Sequence, residues 1–280
     1  MPGDRATPEW ARTVHGVGDL HAGGIARIRA ERVLDDATML GTPALHLQIG
    51  DATEHGAPEE DRAALRWLSS LPGPYRTIVG NHDILGNRRT PAQWARAYGY
   101  ESKNYVVDLP FVRLIAIGPD RTADGRRAGM LSALTRAWLE DQLARAAGDC
   151  WIACHWPLQR TVMGNPKRHF TSAMPAFYAK PDAEIRALLA RHRNARAWLS
   201  GHTHSPLHAP GFVSRARLTG RRSILTVNFS ALVGVGRSRE PKDPLCSVYL
   251  THRPGTIEVR FRDHRAGVWR AVGPSVAISP

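Results

Sequence analysis

Five short polar clusters hold the residues of this chain best suited to chemistry: Asp19-Leu20-His21, Gly50-Asp51, Gly80-Asn81-His82-Asp83, His155 and Gly201-His202-Thr203-His204. Each follows an apolar run. Together they offer carboxylate, carboxamide and imidazole donors, with no thiolate among them. Oxygen ligands mixed with imidazole suit divalent first-row metals, and a set this large suits two of them side by side. Two cations ~3.5–4 Å apart can clamp the attacking and leaving oxygens of a phosphoryl group and bring the pKa of a bound water down toward neutrality. A carboxylate can bridge such a pair because it has two oxygens to share, whereas an amide or imidazole does not.

Apolar runs at residues 13–17, 45–49, 76–79, 150–154 and 195–199 read as buried strands, and every cluster lies where one of them ends. Ligands of open α/β folds collect at the carboxyl ends of strands, so clusters far apart in sequence can converge on one edge. Glycine at positions 50, 80 and 201 lets the backbone turn as it leaves a strand. Between the strands, helices are predicted for the segment carrying Ile25, Ile28, Val33 and Leu34, and for residues 58–71, 90–97, 132–146 and 181–191. Ser132 is the expected cap of the fourth, with Leu134, Trp138 and Leu139 on its apolar side. Residues 105–109 and 112–117 read as neighbouring strands, and 121–127 as a polar loop. Beyond residue 200 the helices stop, and 224–229, 247–251 and 257–261 read as strands. Alternation followed by a β-rich tail predicts an α/β sandwich whose second sheet is completed late.

A single domain is expected over residues 1–264, followed by a C-terminal tail at 265–280. Residues 158–180 lack periodicity and follow His155 directly, which marks them as a candidate cap. This cap carries Lys167, Arg168 and His169, candidate substrate contacts together with His55 beside Asp51. The three cysteines, Cys150, Cys154 and Cys246, have no metal-ligand spacing, and Cys150 and Cys154, which flank a predicted buried strand, read as core thiols, consistent with a cytoplasmic location. No apolar run is long enough for a membrane span, and no secretory leader is visible before Trp10. The net charge of +13 allows a nucleic-acid partner. Only Lys103, Lys167, Lys180 and Lys242 are lysines, however, and the arginines that make up the rest are scattered, a skew that coding bias also produces.

The series D-x-H, G-D, G-N-H-D, H, G-H-x-H, in this order from Asp19 to His204, resembles the calcineurin-like metallophosphoesterase superfamily. Residues 131–155 also resemble the branch that includes class III cyclic-nucleotide phosphodiesterases. The resemblance implies a four-layer αββα sandwich with two mixed β-sheets. It implies two divalent metal ions, manganese or iron ahead of zinc or cobalt, held by Asp19, His21 and His204 on one side and Asn81, His155 and His202 on the other, with Asp51 bridging. His82 would assist the leaving group and Asp83 would orient His82. The reaction implied is hydrolysis of a phosphate ester by a metal-activated hydroxide, on a small phosphodiester of the cyclic-nucleotide kind. Phosphomonoester hydrolysis, single-strand nuclease action and a non-catalytic scaffold are the alternatives. A small phosphate ester is the expected partner, and an oligomer is compatible with the sequence.

Overall fold

A computed structural model describes residues 9–23, 27–87, 89–123, 128–164, 170–220, 222–232, 245–270 and 276–277. In chain order its strands are β1 (Thr13–Val17), β2 (Leu45–Gln48), β3 (Tyr75–Thr77), β4 (Tyr105–Leu109), β5 (Val112–Ala116), β6 (Arg121–Ala123), β7 (Ala128–Met130), β8 (Cys150–Ala153), β9 (Ala195–Ser200), β10 (Val213–Arg217), β11 (Ser223–Asn228), β12 (Cys246–Arg253), β13 (Thr256–Asp263), β14 (Val268–Arg270) and β15 (Val276–Ala277). The helices are α1 (Arg27–Leu40), α2 (Pro58–Ser69), α3 (Pro91–Ala97), α4 (Ala133–Arg145) and α5 (Asp182–Arg191).

One sheet has the order β14-β13-β12-β1-β2-β3, with β15 added beside β13, and the other the order β10-β11-β9-β8-β5-β4. In the first, β1, β2 and β3 run parallel while β12 joins β1 antiparallel. In the second, β5, β8, β9 and β11 run parallel, flanked by antiparallel β4 and β10. Both sheets are therefore mixed, as expected.

Alternate residues of both sheets fill the space between them. Val14, Leu47, Val248, Leu250 and Phe261 of the first meet Leu114, Trp151, Ala197, Leu199, Leu225 and Val227 of the second. This is the period-two pattern of strands with one face turned to a common core. The other face of the second sheet, with Ile115, Ile152 and Trp198, packs on Leu139 and Leu143 of α4 and on Ile185, Leu188 and Leu189 of α5. Near the first sheet, Ala30 and Val33 of α1, Ala64 of α2 and Trp94 of α3 share a cluster with Val17 and Val79. The result is helix, sheet, sheet, helix in four layers.

Three sequence readings are corrected. Residues 121–123 are β6, paired with β7 in a hairpin, where a polar loop was expected. Leu134 is 83% exposed, and the face that α4 buries carries Thr135, Leu139 and Leu143. Ser132 does cap that helix, accepting from the Thr135 N–H at 3.2 Å. The expected tail contributes β14 and β15, both antiparallel to β13, so it extends the first sheet.

The outer face of the first sheet is polar where α1 covers it. His15 on β1, His46 on β2, Ser247 on β12, His264 after β13 and Asp36 on α1 are all buried there. Burial lowers all three histidines, His46 to about 4. The unfolded chain takes up these protons near pH 6.5, while the fold resists them to lower pH. Stability should therefore be complete above pH 6.5 and fall as pH drops toward 4. Urea melts across that window should show the midpoint falling with pH, and a flat profile would contradict neutral burial.

Candidate metal centre

Five loops leaving parallel strands meet at one edge of the two sheets. Asp19 and His21 follow β1, Asp51 follows β2, Asn81 follows β3, His155 follows β8, and His202 with His204 follow β9. All seven are buried. Asp19, His21 and His204 could together hold one cation, and Asp51, His155 and His202 another. Asp51 also groups with His21 and His82, so its carboxylate stands between the two sets. Its Oδ2 lies 3.1 Å from His155 Nε2 and 3.8 Å from His21 Nε2.

These residues fit a pair of cations on three counts. Asn81 Oδ1, His21 Nε2 and His155 Nε2 are buried atoms with no hydrogen-bond partner, which is costly unless something else satisfies them. His155 donates Nδ1–H to the Ile49 carbonyl at 2.8 Å, which turns Nε2 toward Asp51. Charge balance says the same. Burial disfavours ionised carboxylates, yet His204 and His155 hold Asp19 below its ordinary range, and His155 and His82 hold Asp51 there. Burial likewise works against a charged His155, but Asp51 and Asp19 outweigh it and push the ring up to about 9. A proton here occupies the place a divalent cation would take.

The backbone is shaped around these side chains. His21, Asp51, His202 and His204 all have positive φ, from 46° to 69°, a region that side chains other than glycine rarely adopt. Gly50 is left-handed too, and a Cβ on it would meet His155 Nδ1 at 2.6 Å. Gly80 shows no such φ; its need is space, because a Cβ would sit 2.1 Å from Asp51 Oδ1. Gln48 steadies the turn into Asp51 by bonding both the Gly50 N–H, at 3.1 Å, and the Gly50 carbonyl, at 2.5 Å.

Asp83 does something other than expected. Its carboxylate accepts from Thr53 N at 3.0 Å, Thr53 Oγ1 at 2.8 Å and Gly80 N at 2.8 Å, so it ties the Asp51 loop to the Asn81 loop. Burial and the nearby Asp51 charge push it up to about 6. The ring of His82 is oriented by a different group, the Glu54 carbonyl, which accepts from Nδ1 at 2.8 Å. Glu54 also places Oε2 2.9 Å from His21 Nδ1, which directs the other nitrogen of His21 toward Asp51. The sequence reading passed over Glu54. The available signal was its position three residues after Asp51, one turn from the ligand.

His55 turns Nδ1 to Glu60 Oε1 at 3.1 Å, keeps its ring 55% exposed and enters none of the three ligand groups. Lys167, Arg168 and His169 lie outside the described residues. The end of the expected cap serves as a wall behind a ligand. The Ala176 carbonyl faces His202 Nε2 at 3.3 Å, Phe177 stacks on the His202 ring at 4.9 Å, and Phe170 stacks on Phe177 at 4.5 Å. Trp156 is fully buried, and the Trp198 indole donates to its carbonyl at 3.0 Å.

The chain belongs to the calcineurin-like phosphoesterase family, whose sequence model matches residues 12–206, a span that holds all five clusters. Among curated proteins it is similar to a probable cyclic nucleotide phosphodiesterase of Synechococcus sp., 28% identical over 170 residues that make up 58% of each chain. The matched stretch is thus under two thirds of that relative's length. Among solved structures it resembles a dimetal phosphatase from Danio rerio, at 12% identity and a TM-score of 0.68 over 96% of this chain and 99% of that one. It also resembles GAP50, the anchor in the inner membrane complex of Plasmodium, at 12% identity and a TM-score of 0.55 over 96% and 89%. At such identities these two likenesses concern the fold alone.

Replacing Glu54 by alanine removes the carboxylate beside His21 and keeps the carbonyl that orients His82. Affinity for the first cation should fall roughly 10–100-fold. Calorimetric titration with Mn²⁺ checks this, and two unchanged binding steps would refute it.

Proposed function

We propose that this chain is a dinuclear-metal phosphoesterase acting on a small phosphodiester of the cyclic-nucleotide kind. The observation that carries the reading is the pair of groups Asp19-His21-His204 and Asp51-His155-His202, with Asp51 also grouped with His21 and with the more open His82. The His82 ring is 25% exposed, while His21, Asp19, Asp51 and His155 are at 1% or less. Asp19, His21 and His204 would hold one cation. Asn81, His155 and His202 would hold the other, with Asp51 common to both. Two divalent cations there supply positive charge for phosphoryl oxygens and lower the pKa of water.

The protein's own part is orientation and proton handling. His82 Nδ1 is committed to the Glu54 carbonyl, so Nε2 is the nitrogen that can give or take a proton. With its backbone N–H held by Asp51 Oδ1 at 2.8 Å, the residue keeps a fixed place beside the bridging carboxylate. A proton delivered from Nε2 to the departing ester oxygen is general acid catalysis, worth roughly 10²–10⁴ in rate. No protein nucleophile is required. The diester preference rests on the similarity to the probable cyclic nucleotide phosphodiesterase.

A panel of cyclic nucleotides, bis(p-nitrophenyl) phosphate, p-nitrophenyl phosphate and single-stranded DNA, assayed with added Mn²⁺, tests the reading. Turnover should be highest on the cyclic nucleotides. Monoester preference would make the chain a phosphatase, and preference for DNA a nuclease. Two bound cations with no turnover on any substrate would leave a scaffold.

In the same assay, His82→Ala should lose roughly 10²–10⁴ in kcat with two cations still bound by elemental analysis. Full activity in that variant would remove His82 from the chemistry.

A further inference from the structure

Beneath α1, well apart from the metal ligands, five buried groups are joined end to end. His46 Nε2 faces the Pro72 carbonyl at 3.2 Å. His46 Nδ1 faces His15 Nδ1 at 2.7 Å. His15 Nε2 meets Ser247 Oγ at 2.8 Å, and that oxygen meets His264 Nε2 at 2.7 Å. His264 Nδ1 ends the chain on Asp36 Oδ2 at 2.8 Å. Ser247, His264 and Asp36 have the spacing of a hydrolytic triad. The hydroxyl is 99% buried and gripped by His15 on its other side, so it is not poised to attack a substrate.

We propose that these groups form a one-way hydrogen-bond relay, fixed in direction from His46 to Asp36, with His46 Nε2 as its proton port. Both ends of the chain are acceptors, a carbonyl and a carboxylate. Arg262 grips both oxygens of Asp36, at 2.7 and 2.8 Å, which keeps it ionised. Five contacts need five hydrogens. Three neutral imidazoles and one hydroxyl supply four, so one contact must go without.

Its place follows from distance. Two bare lone pairs across the 2.7 Å His15–His46 contact, or across either contact of Ser247, would repel strongly. The His46–Pro72 contact is the longest of the five and leaves the least repulsion. With the gap there, every other hydrogen is assigned. His46 donates from Nδ1 to His15, His15 from Nε2 to Ser247, Ser247 to His264, and His264 from Nδ1 to Asp36. Uptake of one proton at His46 Nε2 then completes the fifth contact.

The surrounding groups do not disturb the count. On β12, the Tyr249 ring stacks on His15 at 4.4 Å, and its hydroxyl reaches Ser247 with one hydrogen for one further contact. From β13 and the turn after it come Arg262, already on Asp36, and Asp263, which accepts from Arg270 at 2.6 Å. From α1 comes Asp36 itself, and from the turn after α2 the Pro72 carbonyl. Burial lowers His46 to about 4 while the Pro72 carbonyl works to raise it, in keeping with an empty port at neutral pH that fills in acid. The His15–His46 contact next to the port joins the strands that lead to Asp19 and to Asp51.

Long-range ¹H–¹⁵N spectra show which ring nitrogen carries hydrogen. At pH 7 the intact protein should show His46 and His264 protonated at Nδ1 and His15 at Nε2. Ser247→Ala cuts the relay in two and gives His15 and His46 enough hydrogens for their own contacts. His46 should then switch to Nε2–H and His15 to Nδ1–H. His46 carrying Nε2–H in the unaltered protein, or the same tautomers before and after the substitution, would overturn the relay. The unaltered spectrum decides even if the variant fails to fold.

Discussion

The ligand end of this molecule depends on Asp51, a buried carboxylate placed between two sets of imidazoles. Its Oδ2 faces His155 and His21, and its Oδ1 takes the His82 N–H. A charge in that position needs compensation from several directions at once, and the surrounding loops provide it. Gly80 has no side chain because Asp51 fills that volume. Gln48 grips Gly50 so that the strand releases Asp51 at the right point. Asp83 draws Thr53 and Gly80 together beneath it. Asp19 and Asp51 flank the His155 ring at 3.9 and 3.1 Å, and two buried carboxylates around shared imidazoles form a distribution that favours cations.

Strain at the site has the same origin. Four ligand residues hold left-handed backbone conformations, each worth on the order of 1–3 kcal/mol. Such conformations persist only where neighbours over-determine them. Second partners of these residues do this: Ala176 and Phe177 for His202, and Glu54 for His21. Residues 170–177 therefore contribute rigidity to the centre. In the described part of the segment expected to cap the site, Phe170 stacks on Phe177 and Phe177 on His202.

Much of this could be read in advance. Strand ends followed by Asp, Asn or His are local patterns, so the seven candidate ligands could be picked out from residue order, while their division into two sets and the four-layer sandwich came from the resemblance to the metallophosphoesterase family. The partners of the ligands were harder. Asp83 neighbours His82 in sequence, which suggested a contact, but adjacent residues leaving a strand point to different sides, and its carboxylate serves Thr53 instead. Glu54 gave no apolar pattern to notice. Leu134 looked like a core residue because composition does not show which side of α4 meets the sheet. The pairing of β6 with β7, and of β14 and β15 with β13, was missed because short edge strands carry almost no periodicity.

The first sheet shows why histidine count alone misleads. Parallel strands covered on both faces are expected to be apolar throughout. Here β1 and β2 turn apolar residues to the second sheet, while on the α1 side only Val17 is apolar and His15, His46 and Gln48 are polar. Each of these polar groups is buried and each has a partner, so the helix layer sits on a connected network where oil-like packing would be usual. A half-satisfied network would be worse than none. That demand fixes the register of β1, β2 and β12 against α1 more tightly than shape does, since a slip of one residue would turn His15 into the apolar core and leave Ser247 alone. The same two strands then deliver Asp19 and Asp51 at their ends. A polar network midway along the strands that carry these candidate ligands ties the position of the centre to the sheet's own hydrogen bonding.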